Sequence, residues 1–127
     1  MPKFKENLSI VWSVSRGRDT HGYNICRLHG ENKSYKVMGG GYDMVGSLVG
    51  EYLTDLLTDE EKQSAVDAKL YGIRKSDNGF HIDGACGISS MKAIAEHAGY
   101  KIETTYSRDR KGRIKETNGF WFERDNI

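Results

Sequence analysis

Arg108-Asp109-Arg110-Lys111-Gly112-Arg113 puts four basic side chains into six residues, and Ser15-Arg16-Gly17-Arg18-Asp19-Thr20 sets two arginines one residue apart. Guanidinium groups make forked contacts to phosphate or carboxylate oxygens. A cluster this dense reads as contact to a phosphate backbone rather than as readout of bases. Each segment also reads more simply as a solvated turn, with Asp19 ordering the first by pairing with a neighbouring arginine.

Two glycine-rich segments run into helix starts, Gly39-Gly40-Gly41-Tyr42-Asp43 and Asp83-Gly84-Ala85-Cys86-Gly87. Unpaired amides at a helix start, with the partial positive charge of the terminus, attract phosphate. Neither segment is a Walker loop or a dinucleotide fingerprint, because the lysine, hydroxyl and spacing those need are missing. Asp43 could instead cap its helix. Tyr42 could stack on a base or fill the core. Candidate ligand contacts are therefore Arg16, Arg18, Arg108, Arg110 and Lys111 for anions, the amides around Gly40, Gly41 and Gly87 for phosphate, and Tyr42 for a ring.

Cys86 precedes a predicted helix, with His81, Asp83 and His97 close in sequence, so a cysteine nucleophile with a histidine base is conceivable. The flanking glycines and alanine favour a small thiol that simply fits a tight place, and no third group has a role. His81 and Asp83 alternate about Ile82 and offer two metal ligands at most, while His21 and His29 belong to another hairpin. The sequence thus assigns no catalytic residue, metal or cofactor.

These residues have to be held by a scaffold. Over 8–15 the β-branched and aromatic run predicts a strand, with further strands over 23–28 and 34–38, making an antiparallel meander. Met44, Val45, Leu48, Val49, Tyr52, Leu53, Leu56 and Leu57 form a wide helical stripe. Thr58-Asp59-Glu60-Glu61 fits a capping box that opens a second helix ending near Leu70. A hairpin over 70–83 turns at Asn78-Gly79, whose residue types suit a type I′ turn. A third helix starts at Ile88 and has Gly99 at its C′ position. Strands over 100–106 and 119–123 close the chain, with the bend at Lys111-Gly112.

The order βββααββαββ, segregated rather than alternating, predicts one α+β domain over 1–127: largely antiparallel sheet with two to three helices packed on it. The expected core includes Val11, Val14, Ile25, Val37, Val45, Leu48, Val49, Tyr52, Leu53, Leu56, Ile82, Met91, Ile94, Ile102 and Phe122. In Phe120-Trp121-Phe122 the two phenylalanines share one strand face and Trp121 takes the other, an arrangement that core or sheet-on-helix packing or a subunit interface explains first and an exposed stacking platform second.

Composition sets bounds on the rest. The chain has 127 residues, 37% of them apolar and 29% charged, with one proline, which excludes collagen-like and disordered classes. It has no apolar run of membrane-spanning length and no signal-peptide pattern, so a cytoplasmic protein with no membrane partner is expected, with Cys26 and Cys86 as reduced thiols. Net charge is +1, but Asp43, Glu51, Asp55, Asp59, Glu60, Glu61 and Asp67 face only Lys62 and Lys69 between Gly41 and Leu70. That segment carries −5 and the remainder +6.

The stretch Ser15-Arg16-Gly17-Arg18-Asp19-Thr20-His21-Gly22-Tyr23-Asn24, with Gly39-Gly40-Gly41-Tyr42-Asp43-Met44-Val45-Gly46, resembles a family of small uncharacterised proteins encoded by bacteriophages. Leu70-Tyr71-Gly72 and Asp83-Gly84-Ala85-Cys86-Gly87 are similar to the same group. The resemblance spans most of the chain. It implies an accessory protein of the host cytoplasm that acts by binding more than by turnover. The leading expectation is a protein that binds nucleic acid or a nucleotide without catalysis. The alternative is an inhibitor of a host defence protein or nuclease, docking through the acidic surface of Glu51, Asp55, Asp59, Glu60 and Glu61. Exposed aromatics and a glycine-rich surface are compatible with a homodimer.

Overall fold

The structure is a computed structural model that describes residues 3–14, 24–30, 33–38 and 44–125. The elements are β1 (Lys3–Val14), β2 (Asn24–His29), β3 (Ser34–Met38), α1 (Met44–Leu56), α2 (Asp59–Asp67), β4 (Ile73–Ser76), β5 (Gly79–Ile82), a single 3-10 turn (Gly84–Cys86), α3 (Ile88–His97), β6 (Lys101–Arg108) and β7 (Ile114–Asp125). Strands β3-β2-β1-β7-β6 form one sheet in which every neighbour is antiparallel, and β4-β5 form a separate hairpin. This is the α+β domain expected, with helices and strands in the expected order.

The meander comes from local pairing, but the centre of the sheet does not. β1 and β7, at opposite ends of the chain, pair from Lys3↔Asp125 to Ser9↔Gly119. Both strands are longer than their apolar runs suggest, beginning at Lys3 rather than residue 8 and at Ile114 rather than residue 119. The added residues are mostly charged or polar and carry little strand signal. They are held by backbone pairing to a neighbour, which propensity cannot register.

Period-two alternation sorts each strand into two faces. Leu8, Cys26, Leu28, Phe120 and Phe122 are buried and meet Leu48, Val49, Tyr52 and Leu53 of α1 and Met91 and Ile94 of α3. Val11, expected in the core, is 45% exposed. It lies out of phase with Leu8 and Ile10, so the same alternation that buries them turns it to the other face. Within the core, Tyr52 makes an edge contact with Phe122 at 4.8 Å and its hydroxyl donates to Glu6 Oε2 at 2.8 Å. Val37, Val45 and Leu56 are half-buried at the margin of this cluster. The side chains of Val14 and Ile25, also expected in the core, lie outside the described set.

The helix boundaries follow the expected local chemistry. Thr58 and Glu61 form the capping box reciprocally: Thr58 Oγ1 accepts from the Glu61 amide at 3.1 Å and Glu61 Oε1 accepts from the Thr58 amide at 2.9 Å. Gly99, at φ +92°, ends α3, with the Tyr100 amide donating to the Ala95 carbonyl and the Gly99 amide to that of Glu96. The β4-β5 turn departs from expectation. The central residues are Asp77 and Asn78, and positive φ falls on Gly79 alone, where glycine adopts it without steric cost. Gly84 explains the glycines before α3: a Cβ there would run into the backbone of Gly46 and Ser47, so the 3-10 turn lies directly on α1.

Arg124 locks the far end of the fold. Its Nη1 donates to Glu61 Oε2 and, at 3.2 Å, to the Ala98 carbonyl, and its guanidinium stands 4.1 Å over the Tyr100 ring. One side chain thus ties β7 to α2 and to the end of α3. No helix among the described residues is long and apolar enough to cross a membrane.

Candidate functional site

The helices and the β4-β5 hairpin all lie on one face of the five-stranded sheet, and no described element packs on the other. Directly paired residues share a face, so the register places Lys5, Ser9, Val11, Arg27, Lys36, Lys101 and Trp121 on this open side. Arg27 of β2 lies opposite Lys36 of β3, both exposed, and neither makes an ion pair with a described residue. Like charges placed directly across two strands destabilise the pair. On β1–β3 the outward residues near them are Val11, Ser9, His29 and Ser34, so no carboxylate on these strands offsets the repulsion.

The β6-β7 turn is ordered by Asp109. Its Oδ1 accepts from the Lys111 and Arg113 amides at 2.9 and 3.0 Å, and its Oδ2 accepts from Arg113 Nε at 2.9 Å. The Arg113 amide, its guanidinium and the Lys111 amide hold this carboxyl below its usual range. Arg108 Nη1 donates to the Gly112 carbonyl at 2.8 Å, and Gly112 takes φ +79°. Two of the four bases therefore shape the turn. Arg110 and Lys111 are left exposed with their charged groups unpaired among the described residues.

Topology brings several of these features to one end. From the row Ser9–Gly119–Thr105, β1 runs on to Val14, β2 arrives from Asn24, β3 leaves at Met38, and β6 and β7 extend to their turn, all in the same direction. Near the end of α1, Asp55 receives hydrogen bonds from Lys33 Nζ at 2.8 Å and the Tyr35 hydroxyl at 3.0 Å, at the start of β3. α1 therefore runs antiparallel to β3, and its first turn lies at the same end of the sheet. Gly84 against Gly46 carries the 3-10 turn, and Gly87 after it, to the helix side of that end.

Arg16, Arg18, Gly40, Gly41, Tyr42 and Asp43 lie outside the described residues; the strands flanking them all end on this side. Gly87 is at the N-cap of α3 with φ +110°, and its amide donates to the Gly84 carbonyl at 3.0 Å. The two amides before it are also occupied, Cys86 by the Asp83 carbonyl and Ala85 by Asp83 Oδ1. Gly87 thus supports the loop with its own amide rather than presenting it outward.

Cys86, His81 and Asp83 line one shallow cleft with Gly72, Ile73 and Arg74, while His97 stands apart with its Nε2 2.9 Å from Ser64 Oγ. Among the described residues no three metal-ligating side chains come together. Cys26 is buried in the core, and burial pushes its thiol up to about 11. The acidic segment forms the opposite layer. Asp55 is engaged by Lys33 and Tyr35, which lower its pKa, and Glu61 by Arg124 and the α2 cap. Glu51, Asp59 and Glu60 are left exposed.

Sequence reasoning did not single out Arg27 and Lys36. The signal was local: each sits between two core-facing residues, Cys26 and Leu28 or Tyr35 and Val37, so each had to point outward. That they face one another depends on register. No family model, curated protein or solved structure matches this chain.

Proposed function

We propose that this protein binds a phosphate-bearing ligand, nucleic acid or nucleotide, across the open sheet face and the end where the β6-β7 turn projects, without turning it over. The observation that carries the reading is the Arg27–Lys36 pair at the β2–β3 side of the open face, which has no ion-pair partner among the described residues and no carboxylate beside it on β1–β3. The exposed acids Glu51, Asp59 and Glu60 lie on α1 and α2, and the β6-β7 turn adds Arg110 and Lys111. A fold that tolerates facing cations with no partner among the described residues gains when a polyanion lies over them, since each neutralised phosphate also releases counterions. Arg108 serves the same surface indirectly by shaping the turn.

The test is binding of a labelled single-stranded oligonucleotide over a range of salt, for the wild type, Arg27→Ala/Lys36→Ala and Arg108→Ala/Arg110→Ala/Lys111→Ala. Each variant is expected to weaken binding and to flatten the log–log salt slope by roughly 0.7 for every phosphate that is no longer neutralised. Unchanged affinity and slope in both variants would overturn the proposal.

A further inference from the structure

Trp121 occupies the outward face of β7 between β1 and β6, 37% exposed, and is directly paired with Asn7 on one side and Glu103 on the other. The next row along the sheet is Lys5, Glu123 and Lys101. Lys5, Lys101, Glu103, Glu123 and the indole line a cleft of about 270 Å³ on the open face. Lys5 Nζ stands 5.2 Å from the ring centroid, so the indole turns a π-face, not an edge, towards a flexible and displaceable side chain. Lys101 Nζ meets Glu103 Oε1 at 3.1 Å, with both side chains more than half exposed.

This cleft differs in kind from the Arg27–Lys36 surface. Its two ammonium groups are balanced by two carboxylates, so phosphate alone gains little there. A flat ring that also donates hydrogen bonds gains more. We infer that this cleft holds a nucleobase of a single-stranded segment, stacked on Trp121 with its hydrogen-bonding edge towards Glu103. A directly paired residue lies about 5 Å away at Cβ, so the exposed Glu103 side chain can swing from its contact with Lys101 to the rim of a ring lying on the indole. Carboxylates only accept, so bases carrying amino groups are favoured. Guanine suits best because its ring N–H and amino group point the same way and match the two oxygens of one carboxylate. Lys5 and Lys101 supply charge to the adjoining phosphates. Bases reach such a platform only when unpaired, so duplex is discriminated against.

The inference rests on the proposed binding of a phosphate-bearing ligand and names the form of that ligand. Its test is fluorescence anisotropy with labelled octamers, one alternating guanine and thymine, one of thymine alone, and one a duplex, against the wild type, Trp121→Ala and Glu103→Gln. The expected results are single strand bound more tightly than duplex, guanine-containing strand more tightly than thymine, and roughly tenfold or greater weakening in Trp121→Ala at an unchanged salt slope. Glu103→Gln, at an exposed position that does not threaten folding, should erase the preference for guanine while leaving thymine binding in place. Wild-type affinity for single strands in Trp121→Ala, or duplex bound as well as single strand, would overturn the inference and leave the phosphate reading intact. A wild type that binds none of the three at low salt would overturn both this inference and the nucleic-acid form of the proposed function.

Discussion

The two faces of the five-stranded sheet are built from the same strands and alternate residue by residue, yet they obey opposite rules. On the inner face Phe120 and Phe122 are fully buried and Cys26 has no exposure; between and beside them, Trp121 is 37% exposed and Arg27 is open to solvent. The inner face is satisfied by its own chain, since α1 and α3 cover its apolar surface and Tyr52 supplies Glu6 with a hydrogen bond. The outer face is not, for it retains a repulsive cationic pair and an aromatic ring among charges. On the function proposed above, stability is concentrated in one face and recognition in the other, and single neighbouring residues should separate the two.

The largest effect should come from the adjacent pair on β7. Phe122→Ala is expected to cost about 3–5 kcal/mol in urea unfolding, because the core cannot close over the space vacated. Trp121→Ala one residue earlier should cost about 1 kcal/mol. Equal losses would show that the outer face shares in holding the fold together, and would break the comparison.

An intermediate effect should follow alkaline pH. Burial favours the neutral Cys26 thiol, raising it from 9.0 to about 11, so its contribution to stability is whole below pH 9 and is lost as pH rises through 11. Burial and the Asp55 hydrogen bond push the Tyr35 hydroxyl up to about 12, which extends the same decline upward. Melting temperatures from pH 8 to 11 should fall for the wild type and fall less steeply for Cys26→Ala. Identical slopes would show that the thiol plays no part in the decline.

The smallest effect on stability is also the most diagnostic. Lys36→Glu converts the facing cations into an attractive pair and should stabilise the fold by about 0.2–1 kcal/mol while weakening polyanion binding. A more stable protein that binds less well is the signature of a face kept strained for a ligand. Improved stability with undiminished binding would show that the repulsion is incidental.

Much of the scaffold was legible locally. The apolar stripe of α1, the capping box at Thr58, the Gly99 terminus and the three-stranded meander are each written in residues close in sequence, where period and backbone chemistry leave few alternatives. Val11 shows the limit: its residue type suits a core strand, but its phase relative to Leu8 and Ile10 places it outside. Positive φ at Gly79 rather than at Asn78 shows the same limit in a turn.

The candidate site was legible in its charges but not in its composition. The basic turn at 108–113 was plain, as was the placement of Trp121 on the strand face opposite Phe120 and Phe122. That Asp109 would engage Arg113, that Gly87 would turn its amide to Gly84, and that Gly84 would be needed against α1 could not be read from types and spacing.

By itself, then, the sequence determined the elements, their order, their punctuation and the segregation of acids into the two central helices, because all of these depend on interactions within a few residues. Only the tertiary structure decided that β1 pairs with β7, that one face of the sheet is covered and the other open, and that Arg27 meets Lys36 and Trp121 meets Glu103. Those outcomes are set by which distant surfaces bury one another and in what register, and a shift of one residue in register would exchange the two faces.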